Sequence, residues 1–482
     1  MSLSGALSNA VSGLAINARS ASVVSSNISN AMTEGYGRRS LAVSSEGVAS
    51  YGGVRMDGVV RHTDTLLLSD KRQAEGDAAG TSVLADHAQR MSDLVGAPLD
   101  GDSLTGRLDT LDSALIMAAS DPSSNQRLRN VAQSADALAD KLNAVSDGIQ
   151  ASRRTAEASI AQQVDQLNTS LTRIADINTR IARTEHVGAD SSALLDQRQI
   201  EIDRVAEMVP LRVIPRKAET VALYSMGGTL LLDGQPPEFA FQRSNEIAPH
   251  MTVENGLLSG LTMNGRAVDA GSDGSMSGGS LSALFEVRDD SAPDLQAKID
   301  GVALDLAERL GAGGPDTTLG AGDPGLFTDL GGGVDPAQER GLAGRLTLNS
   351  SVGPNADTLW KLRDGLGAAT TGDLGDAGLI NGWRDALSER TPATSGALRS
   401  EAVEMTAHIA ELVSFVTDTR LDTEQNDVFA GNRLNVAQER LYADGVDTDH
   451  ELQTLMQIEQ SYAANAQVVR VVDDLMQLLL QR

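Results

Sequence analysis

Cysteine is absent from all 482 residues. That excludes disulfides, a thiolate nucleophile and Cys-ligated zinc, and it leaves the redox compartment unmarked. Aromatic residues are scarce: 2 Trp, 5 Tyr and 6 Phe. Buried surfaces must then be built from Ala, Leu, Val and Ile, which suits long, closely packed helices better than a compact enzyme core. Basic residues are outnumbered 39 to 66 by acidic ones, for a formal charge of −27. Phosphate groups demand clustered Lys and Arg, so neither nucleic acid nor an anionic membrane surface fits as a partner. No apolar run approaches the roughly 18 residues that a spanning helix needs, so membrane insertion is not expected. Met1 to Ile16 has no basic start and is interrupted by Ser, Gly and Asn. The expected location is the cytoplasm, or outside the cell by a route without a cleaved signal.

What the chain does have is helical periodicity, strongest at its ends. From Thr448 to Arg482, Leu455, Ile458, Tyr462, Val469, Val472, Met476 and Leu479 recur in steps of three and four, with Asn465 filling the one gap. This is a heptad seam of about three and a half repeats. A polar residue at such a position is expected to fix register. Thr448 and Glu451 read as a capping box after a break at Gly445. A terminal helix with an apolar seam needs a partner. The N-terminus offers one: Leu3, Leu7, Ala10, Leu14, Ala18, Ala21, Val24 and Ile28 form a stripe over residues 3 to 30. Its Ser, Asn and Gly make that helix weak alone, so tertiary contacts must hold it.

Asn30 and Gly35 can stop this first helix, and Tyr36 lands just beyond the turn. The run Asn27-Ile28-Ser29-Asn30-Ala31-Met32-Thr33-Glu34-Gly35-Tyr36 resembles the signature of the flagellar axial proteins: rod, hook and hook-associated proteins. That family usually has Ala at Ser29 and Pro at Glu34; without the Pro the turn is less rigid. Gly445-Val446-Asp447 and Gln460 to Ala466 are similar to the matching family tail.

The resemblance implies that both chain ends pair as the innermost coiled-coil layer of a tube. Assembly would then rest on Leu14, Val24, Asn27, Ile28, Asn30, Thr33, Gly35 and Tyr36 at one end. At the other it would rest on Leu455, Ile458, Tyr462, Asn465, Val469, Val472, Met476 and Leu479. The Thr33–Tyr36 turn is expected to act between subunits, with Tyr36 as an interface anchor.

Residues 38 to 62 read as a small hairpin or extended arm. From Thr65 the chain turns helical for over a hundred residues. Leu104, Leu108, Leu111 and Leu115 mark one amphipathic segment, broken at Asp121-Pro122. A single stripe then runs from Val131 to Ile181. A helix of roughly 60 residues spans about 90 Å, which suits a scaffold. His186-Val187-Gly188 can cap it. Ser192 opens another helix, with Leu194-Leu195-Asp196-Gln197-Arg198 in it. A long helical block, this motif and then β-structure resemble the hook-associated proteins of the hook–filament junction, as do the pairs Leu167-Asn168 and Ile177-Asn178.

The period changes to two from Leu211 to Gly271, with turns at Gly227-Gly228 and Asn264-Gly265. Residues 281 to 310 are helical, 311 to 335 a Gly-rich loop. Helical pieces are expected around Trp360 and Trp383, and a last long helix from about Ser395 toward Leu421.

The fold class expected is mainly α with a β-containing outer domain, a multidomain α+β chain. Its units are 1–62 with 430–482, 63–208 with 394–429, and 209–393. No catalytic constellation emerges. Gly311 to Gly325 lacks a Gly-Lys-Ser/Thr ending, and His450-Glu451 lacks a second His. Asp269 to Gly274 lacks the bidentate Glu of a calcium loop. Ser275-Met276-Ser277-Gly278 has Met at the nucleophile position.

A structural protein is therefore expected, with no cofactor or metal. The resemblance implies a ring of this chain between hook protein and a second hook-associated protein on the filament side. It also implies export through the flagellar type III channel with an export chaperone, and an extracellular place in the bacterial flagellum. The alternatives are a flagellar hook or rod protein, which the long helix before the β-region disfavours, and a secreted adhesin or glycan-binding module. A stalked adhesin has no need of matched seams at both termini.

Overall fold

The computed structural model describes residues 3–45 and 52–480. Helix α1 (Leu3–Ser29) leads through the Gly-Tyr turn into an antiparallel hairpin of β1 (Arg38–Ser45) and β2 (Val54–His62). Its register runs from Arg38 opposite His62 to Ser45 opposite Val54, with a bulge at Ala42/Val43. Asp64 then caps α2 (Thr65–Val95) by accepting the amides of Leu66 and Leu67 at 2.8 and 3.1 Å. A cap of this kind satisfies donors that a helix start leaves open.

After α3 (Leu104–Ser120), α4 (Asn125–His186) runs without interruption for 62 residues. Its stripe is buried from Leu128 to Ile181, as the periodicity requires. The helix ends where Gly188 and Ala189 donate to the carbonyls of Glu185 and Thr184, the turn that sequence assigned to His186-Val187-Gly188. Helix α5 (Ser192–Met208) folds back along it.

The β-structure is slight. Strands β3 (Leu211–Pro215), β4 (Val221–Ser225) and β5 (Leu230–Leu232) form one antiparallel sheet in that order. Strands β6 (Phe239–Ala240), β7 (Thr262–Met263) and β8 (Arg266–Ala267) form another, closed at Asn264-Gly265. Helix α6 (Gly279–Glu286) passes through a π-helical turn, Val287–Ser291, into α7 (Ala292–Arg309). The loop expected at 311–335 holds strand β9 (Phe327–Asp329), which pairs with β10 (Leu346–Leu348). Short α8 (Lys361–Asp364) and α9 (Gly378–Ser388) follow.

Helix α10 (Met405–Asp444) starts later than sequence suggested and runs far past Leu421. Its start is delayed because residues 391–403 form a loop of turns closed by a single bridge between Thr391 and Val403. Its second half carries little apolar period because it lies against α2 through polar contacts. Arg433 pairs with Asp77 at 2.5 Å, and Thr81 donates to Asp427 at 3.2 Å. The helix is continuous across residue 430.

Helix α4 is the spine of two cores. Its first half, Leu128 to Ile149, packs with α3, α7, β9, β10, α9 and the start of α10. Its second half, Ala156 to Ile174, packs with α5, the β3–β5 sheet and α6. Residues 209–393, expected as one outer unit, are divided between them.

Between the cores lies a buried polar layer. Gln150 donates to Gln296 at 2.9 Å, and Arg153 donates to the carbonyls of Arg288 and Met251 at 2.9 and 2.7 Å. Glu157 pairs with Arg288 at 2.6 Å, both side chains having no exposed surface. Glu157 also accepts the Ser244 amide at 2.7 Å. Nearby, His87 shares a hydrogen bond with Ser152 at 2.8 Å, and burial pushes its pKa down to about 4.

Two asparagines on α4 fasten the second core. Asn168 donates to the Phe239 carbonyl at 2.7 Å and accepts its amide at 2.9 Å. Asn178 does the same for Val221 at 3.0 and 3.3 Å. Each carboxamide stands in for a neighbouring strand's peptide group, satisfying backbone that would otherwise be buried unpaired.

Candidate assembly surfaces

Helix α11 (Thr448–Leu480) packs along α1, so the chain's two ends meet. It is capped by Asp447, whose carboxylate accepts the amides of Asp449 and His450 at 3.0 and 3.1 Å. The capping box expected from Thr448 and Glu451 is not formed. Glu451 is instead buried and pairs with Arg38 of β1 at 2.7 Å. A box predicts only local contacts, and this partner is 413 residues away.

Helix α1 covers part of the expected seam. Val472 is buried, and Leu455, Ile458, Asn465 and Val469 are half-buried. Tyr462, Met476 and Leu479 remain exposed. On α1, Val24 is buried, and Leu14 and Ile28 are half-buried. Gly13 faces Asn465 so closely that a Cβ there would lie 2.7 Å from Asn465 Nδ2. A glycine opposite the polar seam residue lets the two helices approach at that level.

The uncovered face continues beyond the seam, with Met456, Val468, Leu475 and Leu478 also exposed on α11. On α10, Phe429 stands 72% exposed beside a groove of about 400 Å³ shared with Leu67, Val436 and Arg440. Exposed large apolar side chains grouped on a helix are suited to burial against other chains.

The Gly-Tyr turn is built on Asn27, which is fully buried. Its carboxamide accepts the Tyr36 hydroxyl at 2.8 Å and the Arg39 amide at 3.0 Å, and donates to the Arg39 carbonyl at 2.8 Å. Asn30 donates to the Ser26 carbonyl at 2.8 Å, while Thr33, exposed, reaches Asn30 at 3.3 Å. The Arg39 guanidinium lies 4.8 Å from the centre of the half-buried Tyr36 ring. Gly35 has φ 74°, and a Cβ there would sit 2.7 Å from Ile200 Cγ1 on α5.

The Tyr36 hydroxyl is thus satisfied by Asn27 of α1. The sequence could not show this, because the partner Asn27 lies nine positions before the ring with no periodic relation to it. Gly35→Val is accordingly expected to destabilise the turn, by on the order of 1 kcal/mol for backbone strain alone and more for the collision with Ile200. Amide exchange in β1 and β2 measures it. Protection there should fall while that in α4 holds; unchanged hairpin protection would place the turn's role elsewhere.

Asp196 of the Leu-Leu-Asp-Gln-Arg motif carries the family likeness but is not among the residues expected to serve assembly, yet three groups converge on it. Gly37 donates its amide at 3.1 Å, Arg61 pairs at 2.6 Å and Arg39 at 2.5 Å. Arg61 also donates to the Gly35 carbonyl at 3.2 Å and to Gln199 at 2.5 Å. Two residues on, Arg198 turns the other way, donating to Asn178 at 3.0 Å and to the Glu219 carbonyl at 2.5 Å. A buried cluster lies next along α5. Asp203 pairs with Arg72 at 2.6 Å and with Lys71 at 3.2 Å. Burial pushes the Lys71 ammonium down, but Asp203 and Glu75 outweigh it and hold its pKa above the usual range. Basic residues are fewer than acidic ones in the chain as a whole, and the adjacent pair Arg38-Arg39 was the available signal that acidic partners exist.

Residues 88–313 match the family model described as flagellar hook-associated protein FlgK helical domain. Residues 437–482 match that described as flagellar basal body rod FlgEFG protein C-terminal. Flagellar hook-associated protein 1 of Bacillus subtilis is 24% identical over 94% of this chain and 93% of its own length. The protein of the same name from Salmonella typhimurium is 26% identical over 48% of this chain and 43% of its own. Among solved structures, the flagellar hook junction protein FlgK from Burkholderia pseudomallei aligns with a TM-score of 0.46 and 18% identity, covering 54% of this chain and 46% of that one.

Proposed function

The chain belongs to the flagellar hook-associated proteins, structural components of the flagellum, and from that premise we propose that it is the self-assembling junction between hook and filament. It interacts with other flagellar components. On this reading, it forms a ring with copies of itself, seated on hook protein and presenting its far side to a second hook-associated protein. It reaches that extracellular place through the flagellar type III export channel, with an export chaperone.

One observation carries the reading. The two chain ends pair, and the pair leaves exposed, among the described residues, a set of large apolar side chains along α11. Each large apolar side chain moved from water into an interface contributes about 1.5–3 kcal/mol. A row of them on the terminal helix, including Tyr462, Met476 and Leu479, supplies a ring contact that repeats identically at every subunit.

Electron micrographs of cells lacking the protein test this. Hooks without filaments, restored by the intact gene, are expected. Normal filaments on such cells would rule out a junction.

A further inference from the structure

We propose that Asp196 is the positioning residue that sets the orientation of the paired terminal helices relative to the long-helix body. The inference rests on the junction reading only for its biological meaning; the contacts stand independently of it.

The α1–α11 pair and the body meet at the root of the β1–β2 hairpin, and the hairpin is held from both sides. Toward the terminal pair, Arg38 binds buried Glu451 of α11 at 2.7 Å, and Asn27 of α1 grips both backbone groups of Arg39. Toward the body, one carboxylate on α5 takes Gly37 N, Arg39 and Arg61. The Asp196, Arg39 and Arg61 side chains are 13%, 18% and 10% exposed. A carboxylate has two oxygens with about four acceptor sites, enough for a backbone amide and two guanidinium groups at once.

Arg39 is therefore shared: its backbone belongs to the α1 side and its guanidinium to the α5 side. A two-stranded ribbon alone is marginal in water and would bend freely. Fixing β1, β2 and the turn to a single side chain converts that ribbon into a joint of one angle. The body side is itself anchored, because Arg198, on the same motif, ties α5 to α4 through Asn178 and to the β3–β4 turn through Glu219. A junction protein has to present its inner layer and its body at one fixed angle for every copy to fit the same ring.

Electron spin-label distances test this in the full chain, where the absence of cysteine makes site-specific labelling clean. Ser22→Cys on α1 and Thr172→Cys on α4 both lie on exposed positions. The parent pair should give one narrow distance distribution. In Asp196→Ala its width should roughly double, as expected when a hinge is freed. Asp196→Glu, which keeps the carboxylate for Gly37, Arg39 and Arg61, should stay narrower than Asp196→Ala, and Asp196→Asn, equal in bulk but uncharged, should broaden it, a difference that loss of mere bulk would not produce. Circular dichroism of the helices should stay unchanged throughout. A distribution already broad in the parent, or one that stays narrow in Asp196→Ala, overturns the latch. Neither result depends on filament attachment, so it leaves the junction reading to the micrographs.

Discussion

Removal of residues 1–30 or of residues 455–482 is expected to abolish attachment of filaments to hooks while the two cores around α4 remain folded. Neither terminal helix enters those cores, whose members lie between Met91 and Val416. Each terminal helix instead has the other as its main partner. Helix α1 is rich in Ser, Asn and Ala and does not persist unpaired, since isolated helices of this kind are marginal in water. The truncation at 455 keeps Glu451 in the chain but removes most of the helix that holds it 2.7 Å from Arg38. Calorimetry should show the main transition within a few degrees of the full chain's, with motility lost. Full-length filaments on cells carrying either truncation would contradict it.

The largest single-residue effect is expected in the polar layer between the cores. Arg288→Met leaves the Glu157 carboxylate buried with only the Ser244 amide at 2.7 Å to support it. Breaking one side of a buried pair costs about 3–5 kcal/mol, because an uncompensated charge remains in a medium that solvates it poorly. For a body of this size that lowers Tm by about 5 °C. The double variant Arg288→Met/Glu157→Leu should recover a substantial part, since no unpaired carboxylate is left inside and Arg153 keeps its hydrogen bonds to the Ala248 and Met251 carbonyls. Asp289 can absorb its own loss, being partly exposed at 25%. Denaturant unfolding of the two single variants and the double gives the coupling directly. Additive single effects of less than about 1 kcal/mol would mean water reaches the layer.

This layer was invisible in the sequence. Arg153 and Glu157 sit on α4 at positions that local spacing reads as an ordinary solvated pair. They are buried because the loop carrying Met251 and the π-helical turn carrying Arg288 arrive from 98 and 135 residues away. The apolar stripe of α4 needed no such knowledge. Leu138, Leu142, Val145 and Ile149 recur at helical spacing, and any helix of that length must bury that face.

Local chemistry thus determined the helices with a strong period, the Gly-Tyr turn and the Asn264-Gly265 hairpin. It also supplied the likeness of both chain ends to flagellar axial proteins. Periodicity and turn preference act within a few residues, so they are written wherever a segment's own side chains decide its conformation. Tertiary structure alone decided that one half of α4 belongs to each of two cores, and that Glu451 serves Arg38 rather than a helix cap. It alone decided that Tyr36 is satisfied by Asn27 and that three donors meet on Asp196. Those outcomes turn on charged and polar groups. Such groups acquire a role only from a partner's position in space, and an Asp facing water and an Asp closing a joint are the same letter in the chain.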